Sequence, residues 1–130
     1  MDEIDAFKAM IAECAEALGG LAHTLRWHLN VPIALPTPDT MEVWSFTVTL
    51  DAVQNARKLV TIQGLDQADV DCLDRAMRSW QMAGDLIGIM LAHGAATWRL
   101  ETLDLQLTEV YRNLQEFLEA HPCERDHPKA

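Results

Sequence analysis

The chain has 130 residues, 49% of them apolar and 23% charged, which is ordinary globular usage and fits one domain. Its 20 acidic and 10 basic residues give a net charge of −10, which argues against phosphate binding through a basic face and against an anionic membrane surface. No apolar run approaches the ~18 residues of a membrane span, so neither direct nucleic-acid binding nor membrane insertion is expected.

Met1 is followed by Asp2, Glu3 and Asp5, where a secretory signal would carry positive charge, so no signal peptide is expected. The three cysteines, Cys14, Cys72 and Cys123, are odd in number and widely spaced, which is no disulfide framework. The expectation is a reducing, cytoplasmic setting with inert buried thiols at Cys14 and Cys72.

The first helix is expected from Asp2 to Asn30. Ile4, Phe7, Ile11, Cys14, Leu18, Leu21, Leu25 and His28 recur three and four residues apart and share one face. Gly19-Gly20 interrupts the stripe and predicts a kink or close packing there. Pro32, Pro36 and Pro38 make residues 31–38 a linker, because proline removes a backbone donor and pushes its predecessor towards extended geometry.

A second helix is expected from Asp39, paired with Glu42 as a capping box, with Val43, Phe46, Leu50, Val53 and Val60 as its seam and Arg57 as a polar interruption. Residues 45–50 also alternate with period two, a strand signal, but no partner strand is visible and a lone strand leaves its backbone unpaired. Gly64 is placed as the C′ residue of this helix.

Asp66 is placed as the cap of the third helix, with Leu65 and Val70 as a hydrophobic staple. Val70, Leu73, Met77, Trp80, Gly84, Ile87 and Leu91 form its seam, and His93-Gly94 closes it. Thr97 is expected to cap the fourth helix, whose seam is Leu100, Leu103, Leu107, Val110, Leu114 and Phe117, ending before Pro122. The fold class expected is all-α, a four-helix up-down bundle with a Pro-rich linker between helices 1 and 2. The bundle domain spans residues 1–121, and residues 122–130 form a flexible polar tail.

The polar clusters are accounted for by the fold. Asp66, Asp69, Asp71 and Asp74 follow the expected start of helix 3, where negative charge suits the helix dipole, and they lack the glycine turn and distal glutamate of a calcium loop. His23 and His28 are five apart, ~140° around a helix, and do not converge on one ion. His121, Cys123 and His127 offer soft ligands, but a zinc site needs a fourth and a fixed loop. Glu13-x-x-Glu16 with Asp71-x-x-Asp74 resembles the paired carboxylates of all-helical nucleotide pyrophosphatases, which hold magnesium. The match covers four residues and lacks the fuller acidic pattern. Nucleic-acid mimicry needs dense carboxylates, whereas here the charge is spread, −4 over residues 1–65 (8 acidic, 4 basic) and −6 over residues 66–130 (12 acidic, 6 basic).

Two features point to contact surfaces. Gly84-x-x-x-Gly88, followed by Ala92, allows close approach of another backbone, within the bundle or from a partner. Trp80 lies on a seam, but Trp27, Trp44 and Trp98 lie off the main stripes, and Trp98 with Leu105 begins a second stripe. The sequence therefore leads to a non-enzymatic protein–protein interaction module, a small acidic regulator or inhibitor with no cofactor, no metal and no catalytic residue. Its interface would include Trp27, Trp44, Trp98, Leu105, Gly84 and Gly88. The expected partners are another protein with a basic surface and a second copy of the chain in a homodimer. The alternatives are an acidic nucleic-acid mimic and a metal-dependent nucleotide hydrolase using Glu13, Glu16, Asp71 and Asp74.

Overall fold

The computed structural model describes residues 3–29 and 46–121, with side chains from Ile4 in the first stretch and from Thr49 in the second. They form four helices: α1 (Glu3–Leu29), α2 (Phe46–Thr61), α3 (Gln67–His93) and α4 (Thr97–Ala120). The Pro-rich segment 31–38, the expected start at Asp39, Trp44 and the tail 122–130 lie outside the described residues. The period-two pattern over 45–50 is helical from Phe46 onward, and Val53, Ala56 and Val60 continue it as a buried stripe.

Helix α3 is the hub. It packs against α1, α2 and α4, whereas α1 and α2 make no backbone approach to each other among the described residues. Trp80 is fully buried in α3, and its indole Nε1 donates to the Cys14 carbonyl at 2.9 Å, tying α3 to α1. A buried tryptophan brings a large apolar body but needs a partner for its N–H, and this bond supplies it. Cys14 is itself fully buried, and burial pushes its thiol up to about 12 from an ordinary 9.0. Cys72 is buried too. Its Sγ lies 3.0 Å from the Asn113 carbonyl, and its pKa is raised, by burial first and by Glu116 and Asp69 next, against the opposing pull of Arg75.

Pairs along the helices fix their directions. Leu50 meets Gly84 while Arg57 meets Asp74, so α2 and α3 run oppositely. Cys72 meets Asn113 while Arg99 meets His93 and Gly94, so α3 and α4 do too. Helix α1 departs from a strict alternation through all four helices. Gly20 lies beside Leu114 and His28 beside Phe117, which gives α1 the same sense as α4. The physical reason lies in the connections. A three-residue link between α3 and α4 forces reversal, whereas the sixteen-residue stretch 30–45 reaches up to ~55 Å and leaves the direction of α1 to packing.

Several local expectations are corrected. Helix α1 runs unbroken through Gly19-Gly20. A Cβ at Gly20 would sit 3.6 Å from Leu114, whereas Gly19 has open space. Ile4 and Leu91 continue their stripes in sequence but are 65% and 61% exposed, because they lie near helix ends; Met90 takes the buried place beside Ile87. Helix α2 ends at Thr61, Ile62 and Gln63 close turns onto Leu59 and Val60, and Gly64, at φ 73°, lies beyond them rather than at C′. Gly94 does close α3: at φ 99° it donates its N–H to the Met90 carbonyl at 2.8 Å. Asp66 occupies the N-cap position of α3 without a side-chain cap bond, so its contribution there is charge at the helix start. Ala96, not Thr97, is the N-cap of α4, and Thr97 is the first helical residue.

Arg57, the polar interruption in the α2 seam, is absorbed by a network. Its Nε donates to Asp74 at 2.7 Å and its Nη1 to Gln54 and Gln81 at 3.1 and 2.9 Å, and Arg78 reaches the same Asp74 at 3.1 Å.

Candidate functional site

The outer side of the α3/α4 pair carries a groove of about 250 Å³. One wall is Met82, Leu86 and Ile89 on α3, spaced four and three residues apart and so on one helix face, with Asp85 beside them; the other is Thr102 and Gln106 on α4. Trp98 and Leu105 do not line it; by helix spacing they lie on the face of α4 that carries Thr102. Met82 is 56% exposed and Ile89 45% in the groove wall, and Trp98 is 61% and Leu105 64% exposed elsewhere on α4.

Trp98 carries a guanidinium on one face of its ring. The Arg99 guanidinium lies 4.7 Å from its ring centroid and donates to the carbonyls of Gly94 and His93 at 2.9 and 3.3 Å. Arg99 thus satisfies the open carbonyls at the end of α3 and presses on the indole. Asp85 is the only charged residue lining the groove, and no described residue pairs with it.

The other expected interface residues do not join this patch. Trp27 is 45% exposed and lies against His23, ring centroids 6.0 Å apart, near the end of α1. Its neighbour His28 packs on Phe117, nineteen residues along α4 from Trp98, or ~28 Å. Gly84 is buried, and a Cβ there would meet Leu50 of α2 at 3.2 Å, so its small size serves packing inside the chain. Gly88 is half-buried with open space where a Cβ would stand. Met82 and Ile89 are what sequence reading missed. They sit seven residues apart on α3, as Trp98 and Leu105 do on α4, and that shared spacing was the signal that could have found them.

A second groove, of about 600 Å³, runs between α1 and α4, with Gly20, His23 and Thr24 facing Thr108, Tyr111 and Leu118. Tyr111 has its pKa raised by burial and by the Glu16 and Glu13 carboxylates. Those two glutamates therefore lie on the α4 side of α1, while Asp74 is engaged by Arg57 and Arg78 and Asp71 accepts from Gln67 at 2.8 Å. The four carboxylates of the nucleotide-hydrolase alternative are not brought together. Among the described residues no set of three His, Cys, Asp or Glu side chains is arranged to hold a metal. His121, one of the tail's possible ligands, instead pairs with Asp69 at 2.7 Å, while Cys123 and His127 lie outside the described residues. Among the described residues no helix is long and apolar enough to cross a membrane. Comparison with protein-family models, with curated proteins and with solved structures finds no match to this chain.

Proposed function

We propose that the protein is a non-enzymatic interaction module, a small acidic regulator or inhibitor that docks the outer α3/α4 face onto a partner protein with a basic surface. The scaffold for this is a four-helix bundle in which α2, α3 and α4 alternate up and down, with residues 31–38 as the Pro-rich linker. The observation that carries the reading is the exposure of Met82 and Ile89 in one groove wall together with that of Trp98 and Leu105 on the face of α4 that carries Thr102 from the other wall. Clustered apolar anchors of this kind are the usual energetic centre of an interface, and tryptophan leads among them. The net charge of −10 favours a basic partner and opposes the pairing of two copies. The buried free thiols Cys14 and Cys72 suit a cytoplasmic setting.

The test compares partner capture by the wild-type protein, by Trp98→Ala with Leu105→Ala, and by Trp27→Ala. The reading expects capture to be lost with the first pair of changes, by about 2 kcal/mol or more (roughly thirty-fold), and to survive Trp27→Ala. Capture indifferent to Trp98 and Leu105 overturns it. If that capture also collapses steeply with salt, carboxylate mimicry of nucleic acid takes its place.

A further inference from the structure

The α3/α4 pair has two sides. On one, α1 packs against both helices, with Cys14 bonded to Trp80 of α3 and Gly20 against Leu114 of α4. The other is the groove of Met82, Leu86, Ile89, Thr102 and Gln106, which no described helix covers. A groove between two antiparallel helices is shaped for a third helix, as α1 already demonstrates on the filled side. Its α3 wall runs Met82, Leu86, Ile89 along one helix face over two turns or ~10 Å, a length that two turns of a docked helix would span. Asp85, exposed to solvent, is the single charge lining the groove and lacks a described partner, on a protein of net charge −10. Closing the groove with an apolar or acidic segment would strip water from that carboxylate without compensation.

We infer that the outer α3/α4 groove seats one amphipathic, basic helix of a partner protein, which sets aliphatic or aromatic side chains on Met82, Ile89, Trp98 and Leu105 and a lysine or arginine on Asp85. The inference rests on the docking function proposed above and adds the occupant's secondary structure and charge. A second copy of this chain fits poorly, because it carries the same net charge into the contact.

The probe is a synthetic, end-capped leucine/lysine peptide of about four helical turns, titrated into the isotope-labelled full chain and followed by amide chemical shifts. A matched peptide with glutamate in place of lysine is the control. Expected are saturable shifts confined to residues 82–106, no binding of the glutamate peptide, and roughly ten-fold or greater weakening in both Asp85→Lys and Trp98→Ala. Shifts spread along Asp66–Asp74 or Glu13–Glu16, or affinity unchanged in Asp85→Lys, overturn the inference. Light scattering on the protein alone completes the test: a concentration-dependent dimer abolished by Trp98→Ala would make the occupant a second copy and overturn it as well. The docking function fails separately, when capture of a natural partner ignores Trp98 and Leu105. A partner that needs Trp98 but ignores Asp85→Lys sinks only the basic helix.

Discussion

On the α2 side of α3, Arg57, Asp74, Gln54 and Gln81 stand in an apolar seam and satisfy one another, with bonds of 2.7 to 3.1 Å among them. On the outer α4 side, Asp85 stands among Met82, Leu86 and Ile89 with no described partner, and the apolar groups around it face water. Both regions place polar residues on an apolar stripe of the same helix. The difference teaches how to tell a seam from a docking face. In a seam the polar group is paired within the chain, because an unpaired one would be partly cut off from water, at a cost of up to ~1–3 kcal/mol for a fully buried group. On an open face water supplies the pairing, and a partner must replace it.

If that contrast is right, substitutions on the inner side of α3 cost stability and those on the outer side do not. The largest expected effect is at Trp80. Trp80→Ala opens a cavity and removes the bond to the Cys14 carbonyl, and urea unfolding should show a loss of about 3–5 kcal/mol. Arg57→Ala leaves Asp74 with Arg78 alone and Gln81 without its guanidinium donor. Both ends of the Arg57–Asp74 pair are 26% exposed, so water softens the loss to about 1 kcal/mol. A double-mutant cycle with Asp74→Ala should return most of that as coupling; a coupling near zero would remove the network from the comparison.

The glycines of α3 sharpen it further. Gly88→Ala meets nothing within 4 Å and should stabilise by up to about 1 kcal/mol through helix propensity. Gly84→Ala gains the same propensity but presses on Leu50 at 3.2 Å, so calorimetry should show a smaller gain or a loss. Equal gains at both sites would mean that α2 does not press on α3 there. The smallest effect belongs to Trp98. Although it is a tryptophan, Trp98→Ala should shift unfolding by less than about 0.5 kcal/mol, as for an exposed position. A loss comparable to Trp80→Ala would show Trp98 to be part of the fold rather than of a contact surface.

Three- and four-residue spacing made the helices legible. A stripe such as Leu103, Leu107, Val110, Leu114 and Phe117 lines one face of a helix but would scatter over both faces of a strand, and all five are buried. Local chemistry marked Gly94 in the same way: a positive φ at a helix end favours glycine. Periodicity says nothing about which helix a stripe faces. By spacing alone Gly84 suits an intermolecular slot as well as an internal one, and only the position of Leu50 against it decides. Nor does periodicity foresee that α1 runs with α4, because a long connection leaves direction to packing. The candidate site was half legible. Trp98 and Leu105 stood off their stripe in sequence, whereas Met82 and Ile89 came to face Thr102 and Gln106 only when a tight reversal brought the end of α3 beside the start of α4. Trp27, similar by sequence, was separated from them by the length of a helix.

The thiol of Cys14 has a kinetic consequence. The thiolate is the reactive form, and inside the bundle the proton stays on until a pH of about 12, while in the unfolded chain it leaves near 9.0. Between those values the unfolded state binds fewer protons, so this group subtracts from stability as the solution becomes alkaline. At neutral pH, alkylation of Cys14 must wait for α1 to part from α3. Its modification rate is therefore a clock for that separation, running once per opening when reagent is abundant and in proportion to the open population when it is scarce.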